Sequence, residues 1–352
     1  MTTVLYVLFG ILIFGVLIAV HEFGHFTVAK LCDVKVNEFS IGMGPAIWKK
    51  QKGETLYALR CVPLGGYCAM EGENGDSDDP RAFTAQKPWK RFLILCAGSF
   101  NNFLLGLIII FCLYLGAAAF ASPTIAGFME GCPYERADGL HVGDRFIKID
   151  GRRVRQYYDV GDFLREGDGV YDLVLERDGK RVRLENFEMR PIQYEGQEKP
   201  LYGFNLGYEE ATLPVRLRHT WDTAMEFARM VWMGLGQLFR GEVGLQDLSG
   251  PVGIVGVMAE TGENAESTRD ALYDILFLTA FIAINLAIMN MLPIPALDGG
   301  RVFLLLVTVV IEFLTGKKLD PKYEAYVHGA GMVLLLGLMG IIMFNDVLKI
   351  FR

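Results

Sequence analysis

The sequence predicts a multi-pass α-helical membrane protein of about four transmembrane helices, with a membrane-associated β-hairpin and one inserted β-rich domain. Three observations lead there. The 352-residue chain is 52% hydrophobic with a mean hydropathy of +0.29, too apolar for an ordinary soluble protein of that size. Four apolar spans each come near the ~20 residues needed to cross a hydrocarbon core. One long polar stretch, between the second and third spans, carries short strand patterns separated by hairpin-turn dipeptides.

The first span runs from about Val4 to Val20 and continues through His25. No Lys or Arg precedes it and its apolar run exceeds the core of a signal peptide, so it reads as a retained transmembrane helix. It leads directly into His21-Glu22-Phe23-Gly24-His25. Histidines four apart on a helix differ by about 40° around the axis, so both imidazoles face one side. They can supply two ligands of a tetrahedral Zn²⁺, and the adjacent Glu22 can take a proton from metal-bound water. Such a pattern arises by chance in about 1% of chains this long, and a surface helix could carry it harmlessly. At the end of an apolar span, however, ionisable groups are costly and usually functional.

The segment from about Val36 to Met70 reads as β-rich. Glu54 to Cys61 alternates loosely, and Pro63-Leu64-Gly65-Gly66-Tyr67 is a turn signature followed by a short strand. Its apolar residues suit a hairpin dipping into the membrane, with its backbone shielded by protein. Glu71 to Arg81, acidic and Gly/Asp-rich, reads as a mobile surface loop. The second span starts at Phe92 and stays uncharged to Met129, with Pro123 expected to end its helix. In the insertion, Asp150-Gly151 and Asp178-Gly179 follow strand-like runs, and the size suits a single small β-rich domain. Thr220 to Phe239 has apolar residues at helical spacing beside Arg216, Arg218, Arg229 and Arg240. Such a helix either packs on a core or lies in the membrane interface.

The third span, Ile275 to Leu297, is bounded by Asp274 and Asp298; Val302 to Ile311 is too short to cross and extends a helix beginning near Asp298. The fourth runs from Gly329 to Asn345. The chain thus divides into an N-terminal membrane half (1–120), the inserted domain (121–207), an amphipathic segment (208–270) and a C-terminal membrane half (271–352). The segment from Lys30 to Arg91 carries ten Lys/Arg, and Arg301, Lys317, Lys318 and Lys322 follow the third span. Both loops therefore read as cytoplasmic, with both termini outside, although Lys349 and Arg352 pull weakly the other way. A net charge of −7 without a long basic run argues against a nucleic-acid partner. The six cysteines contain no CxxC pair, which argues against a disulfide framework or a Cys-type zinc site.

Two histidines need a further protein ligand, and Asp298 is the best candidate. It follows Asn290-Met291-Leu292-Pro293-Ile294-Pro295-Ala296-Leu297 and precedes Gly299-Gly300. Two prolines break the helix at membrane depth, which is tolerable only against protein or a cavity, and the glycines allow close backbone approach. The competing role for Asp298 is a helix N-cap, and both roles can hold at once.

HEFGH on the first span, NMLPIPALDGG on the third and PLGGYCAM between them resemble the site-2 protease family of intramembrane zinc metalloproteases, in its bacterial regulator of sigma E protease type. FSIGMGPAIW at 39–48, AGSFNNF at 97–103 and LSGPVGI at 248–254 extend the resemblance over nearly the whole chain. GCPYERADGLHVGDRFIKIDGRRV at 131–154 resembles a bacterial PDZ domain, with room for one copy. The chain departs from the family pattern at Ser99, where Pro is usual, and at Arg301, where His is frequent.

The resemblance implies zinc held by His21, His25 and Asp298, with Glu22 as general base and later acid. It implies a substrate-positioning role for Asn290; Asn285 and Asn102 match other asparagines of the membrane core, where hydrogen bonding between helices is the competing role. The hairpin would pair an edge strand, through Gly65, Gly66, Tyr67 and Ala69, with an unwound substrate. Expected partners are single-pass membrane protein substrates, such as anti-sigma factors or remnant signal peptides, and an upstream site-1-type protease acting on the same substrate. The expected place is the bacterial inner membrane, active site toward the cytoplasm and PDZ domain outside. The alternative is a non-proteolytic membrane scaffold acting through its PDZ domain, and a transporter lacks the repeated polar spans it would need.

Overall fold

The computed structural model describes residues 3–73, 77–244, 250–316 and 322–350. Residues 74–76 of the acidic loop, Leu248-Ser249, and Lys317 and Lys318 of the orientation argument lie outside the described residues. The chain divides into two compact units, one of Met1–Leu113 with Ala224–Arg352 and one of Tyr114–Thr223. Among the described residues, four helices are long and apolar enough to cross a membrane: Val4–Leu31, Pro88–Tyr114, Thr268–Asn290 and Tyr326–Asp346.

In the first unit, α1 (Thr3–Leu31) is one continuous helix through both histidines. A hairpin follows, β1 (Val36–Lys52) and β2 (Thr55–Met70), turning at Gly53 with φ +62°. Here the structure corrects the expected turn at 63–67. The chain stays extended there, and Gly65 at φ +98° redirects the strand because a side chain would strike Met43. The bend folds β2 around β1, so that Ser40 faces both Ala58 and Tyr67, and Phe39 both Tyr57 and Cys68. Gly66–Met70 therefore lies along the outer side of a four-stranded layer, in the order 46–52, 55–60, 36–41 and 66–70. Nor is the described part of the 71–81 loop loose. Lys35 pairs with Glu71 and Asp79, and Arg81 pairs with Glu54 and Asp33, so its charges are matched locally.

The second span is α2 (Pro88–Tyr114). It starts earlier than hydropathy suggests because Lys90 donates to the Cys32 carbonyl at the end of α1. It also ends well before Pro123: the apolar tail is β3 (Ala119–Phe128), whose backbone is claimed by a sheet.

The second unit is that sheet, in the order β7-β6-β4-β3-β8, with β4 (Arg145–Ile149), β5 (Arg152–Arg153) beside it, β6 (Val170–Arg177), β7 (Lys180–Glu188) and β8 (Phe204–Glu210). Helix α3 (Tyr157–Glu166) closes a core of Phe146, Ile149, Val160, Leu164, Tyr171, Leu173 and Leu175. The turns at Asp150-Gly151 and Asp178-Gly179 have positive φ throughout, as hairpin turns of this type require. Tyr114 and Thr223, at the two ends of the unit, share a 2.9 Å hydroxyl hydrogen bond.

Helix α4 (Leu213–Phe239) packs one face on the helical core and leaves another exposed. Phe227 packs edge-on against Phe277 and Phe281, while Trp232, Met233 and Phe239 are exposed. Helix α5 (Pro251–Asn264) was not evident from hydropathy. It lies against α1, where Gly10 leaves room for Val255 and Met258. The third span, α6 (Thr268–Asn290), approaches α2 at Gly106, which faces Ile284. It breaks at the proline pair, and α7 (Asp298–Thr315) begins at once. Finally, α8 (Lys322–Ile350) exposes Val333, Leu334 and Phe344, as a lipid-facing helix should. Its buried Asp346 accepts the backbone N–H groups of Gly250 and Gly253, each at 2.9 Å. A carboxylate at the start of α5 satisfies donors that lipid could not.

Candidate metal centre

The site forms where α1, α2 and the start of α7 meet. Nε2 of His21 lies 3.1 Å and Nε2 of His25 3.2 Å from Oδ2 of Asp298, and the two Nε2 atoms are 3.2 Å apart. Donors about 2.0–2.1 Å from a tetrahedral ion sit about 3.3–3.4 Å from one another. The triangle is thus the right size for one metal ion. Among the described residues this is the one cluster of three such groups.

The donors are also in the right chemical state. Nδ1–H of His25 donates to the Ile94 carbonyl at 2.8 Å, which leaves the Nε2 lone pair facing the cluster. The Asn102 amide lies 3.4 Å from Nδ1 of His21, and its Oδ1 is buried without a partner. With Oδ1 accepting from Nδ1–H, both the amide and the tautomer are satisfied and Nε2 again faces inward. Asp298 Oδ2 has no hydrogen-bond partner although it is buried. Two imine nitrogens and an orphaned carboxylate oxygen at this spacing repel one another unless a cation sits between them.

Helix α2 makes the space. A methyl group on Gly98 would come within 2.7 Å of Cε1 and 2.8 Å of Nε2 of His21, and Gly24 of α1 packs on the Ala97–Gly98 backbone. Asp298 is the first residue of α7 and Leu297 its N-cap, without a side-chain cap bond. The capping role expected as a competitor is therefore absent, and the carboxylate is free for the cluster. Gly299 and Gly300 let the backbone of Met291–Pro295 fold over the start of α7.

The profile of Peptidase family M50 matches residues 9–338. This chain belongs to that family. A Clostridium perfringens protein described as a zinc metalloprotease is 35% identical, covering 98% of this chain and 99% of its own length. One from Clostridium acetobutylicum is 36% identical over 97% of each. The zinc metalloprotease RasP of Geobacillus kaustophilus is 29% identical over 97% of each. The M50 chain is a zinc metalloprotease of the site-2 type, and a membrane protein.

The remaining residues singled out in the sequence have varied surroundings in this M50 chain. Glu22 follows His21, and Gly66 of β2 is the hairpin residue against it: a methyl there would lie 3.4 Å from the Glu22 Cγ. Tyr67 is turned to other work, since Arg60 donates to its hydroxyl at 2.6 Å and stacks on its ring. Ala69 pairs with Glu38 on the outer strand. Asn290 is the last residue of α6, just before the break, and Asn285 is half-buried on the same helix. Arg301, one turn past Asp298, forms an ion pair with Glu73 beyond the end of β2, which accounts for the arginine at this position. Sequence reasoning missed Gly98 and underrated Asn102; the AGSFNNF stretch that contains both was the available signal.

Proposed function

We propose that this protein hydrolyses peptide bonds within the transmembrane segments of single-pass, membrane-anchored substrates. It would act in regulated proteolysis, on proteins such as anti-sigma factors or remnant signal peptides already shortened by an upstream site-1-type protease. The observation that carries the reading is the pairing of a buried His21–His25–Asp298 triangle at the end of an apolar helix with a strand edge beside Glu22. A substrate helix hides its amides, so it must unwind before attack, and an extended segment can pair with the Gly66–Met70 edge.

His21, His25 and Asp298 would hold the zinc. Bound there, it supplies a water acidic enough to ionise near neutral pH and polarises the scissile carbonyl. Glu22 receives the proton of the attacking water on its carboxylate and delivers it to the leaving amide nitrogen. Asn290 would position the substrate near the break. The basic loops favour the bacterial inner membrane with the metal centre toward the cytoplasm. The Tyr114–Thr223 unit would then be an extracytoplasmic PDZ-like module. A groove of about 760 Å³ between α3 and the 190–202 stretch, lined by Leu164, Arg165, Arg190 and Tyr202, would read a peptide end.

The test is a Glu22→Gln variant reconstituted in vesicles with a membrane-anchored substrate. Glutamine keeps the shape and removes the base, so zinc should remain at one per chain while cleavage falls by at least ~10². The same variant should trap substrates in native membranes. Undiminished cleavage by a clean preparation removes Glu22 from the mechanism, and a wild type that never cuts but binds membrane partners favours the scaffold reading.

A further inference from the structure

The direction of the Asp298 carboxylate depends on the turn that delivers it, and that turn is held from α8. Within the turn, Ile294 N–H reaches Leu292 O at 2.7 Å and Leu297 N–H reaches Ile294 O at 3.2 Å. Pro293 and Pro295 have no N–H to place. Ala296 is the exception twice over. It stands at φ +80°, a region that costs an L-residue its Cβ clearance. Its N–H has left the chain's own carbonyls and donates to Nδ1 of His328, in the first described turns of α8, at 3.2 Å. One turn further along α8, Gly331 packs against Pro295, where any side chain would overlap the proline ring. His328 and Gly331 together form a seat for the Pro295-Ala296 corner.

The same bond sets the state of the ring. Nδ1 accepts, so in the neutral imidazole Nε2 carries the hydrogen; Nε2 is buried without a partner. The lone pair that could have bound metal is spent on the backbone. We infer that His328 is a positioning residue of the metal centre, which holds Ala296 in its left-handed conformation and thereby aims Asp298 at His21 and His25. The inference rests on the zinc reading of that centre. Its physical basis is that a strained corner at membrane depth persists only where its surroundings over-determine it, and an unpaired N–H there has no water to turn to. At its other end α8 holds the start of α5 through Asp346. The C-terminal helix is therefore fixed at both ends, and a displacement of His328 passes to the turn rather than being absorbed by α8.

The experiment measures zinc affinity by chelator competition in detergent, with thermal unfolding of the metal-free protein alongside. His328→Leu should weaken zinc binding by at least ~10-fold, the scale seen when a group that orients a ligand is removed. His328→Asn places an amide oxygen where Nδ1 stands and should retain nearly wild-type affinity. His328→Gln extends past that point and should resemble His328→Leu. Adding Ala296→Gly to His328→Leu removes the Cβ penalty and should recover part of the lost affinity. Equal affinities for the Asn and Gln variants overturn the inference, even if the Leu variant folds poorly. So does wild-type affinity in His328→Leu, or a double variant no better than His328→Leu alone. A wild-type protein without stoichiometric zinc would instead remove the metal reading itself, a failure distinct from these.

Discussion

At the scale of single residues, the metal centre is organised as much by what is missing as by what binds. Gly98 offers no side chain, and both imidazoles occupy the room where one would be. A Gly98→Ala substitution would be harmless on an exposed helix and even favour helicity. Here the added methyl must push His21 and His25 apart, and because α1 is locked to α2 at Gly24 the helices cannot separate to absorb it. We expect zinc content after purification to fall well below one per chain, with cleavage lost in proportion, while the protein still inserts into membranes. Full zinc occupancy in Gly98→Ala would show that the two helices have more freedom than this packing implies. The hydrogen bond from His25 Nδ1–H to Ile94 O works in the same direction, consuming the outer nitrogen of that ring and leaving the inner one facing the cluster, and the Asn102 amide stands 3.4 Å from the outer nitrogen of His21.

At the scale of elements, the hairpin and the broken helix are the two departures from a simple bundle, and both converge on the site. The doubled pairing of β1 leaves the Gly66–Met70 strand with an outer side. In lipid an unpaired edge is costly, and the proposed function gives this one an extended substrate as its partner. Ala69→Pro removes one donor and stiffens the edge. That change should reduce cleavage while zinc stays bound, measured in the same vesicle assay and by metal content. Single cysteines along 66–70, paired with cysteines in a substrate's transmembrane segment, should crosslink in the Glu22→Gln background. Crosslinks confined to positions near Asn290 would instead mean that helices alone hold the substrate. Around the hairpin turn, Glu54 joins Lys30 to Arg81. Those contacts hold its carboxyl down at about 2, with Arg81 the larger contributor. The support they lend is present at neutral pH and fades only as the pH falls below the ordinary carboxylate range toward 2. Because the pair is partly exposed, its contribution is modest.

At the scale of the whole molecule, the Tyr114–Thr223 unit has its own core and sheet, and its two ends meet at the Tyr114–Thr223 hydrogen bond. An insertion with adjacent ends can be removed without tearing the parent apart. Replacing about Ala121–Gly207 with a short linker should therefore leave one zinc per chain. It should change which substrates are cut, as read by comparing cleavage of a panel of membrane-anchored proteins before and after deletion. Loss of zinc together with the unit would mean that it is required for the membrane fold rather than for selection.

The sequence alone carried what depends on local pattern. Hydropathy located the four helices long and apolar enough to cross a membrane, since a run of apolar residues near the thickness of a bilayer has few other uses. The four-residue spacing of His21 and His25 placed two donor groups on one helix face, and the proline-broken stretch before Asp298 pointed to the carboxylate that the fold brings beside them. Short strand-like runs and Asp-Gly turns marked the inserted sheet. Element ends were less legible, because hydropathy does not register that β3 is claimed by a sheet or that Lys90 holds the end of α1. The bend at Gly65 was read as a turn for a similar reason: φ is chosen by what the strand folds against, here Met43. Contacts between distant segments left no local trace at all. Gly98 against the imidazoles, Asp346 on the start of α5, Glu73 with Arg301, and His328 beneath Ala296 each join residues far apart in the chain. They were decided by tertiary packing, because a buried polar group must find its partner wherever the fold brings one within reach, whatever its distance along the sequence.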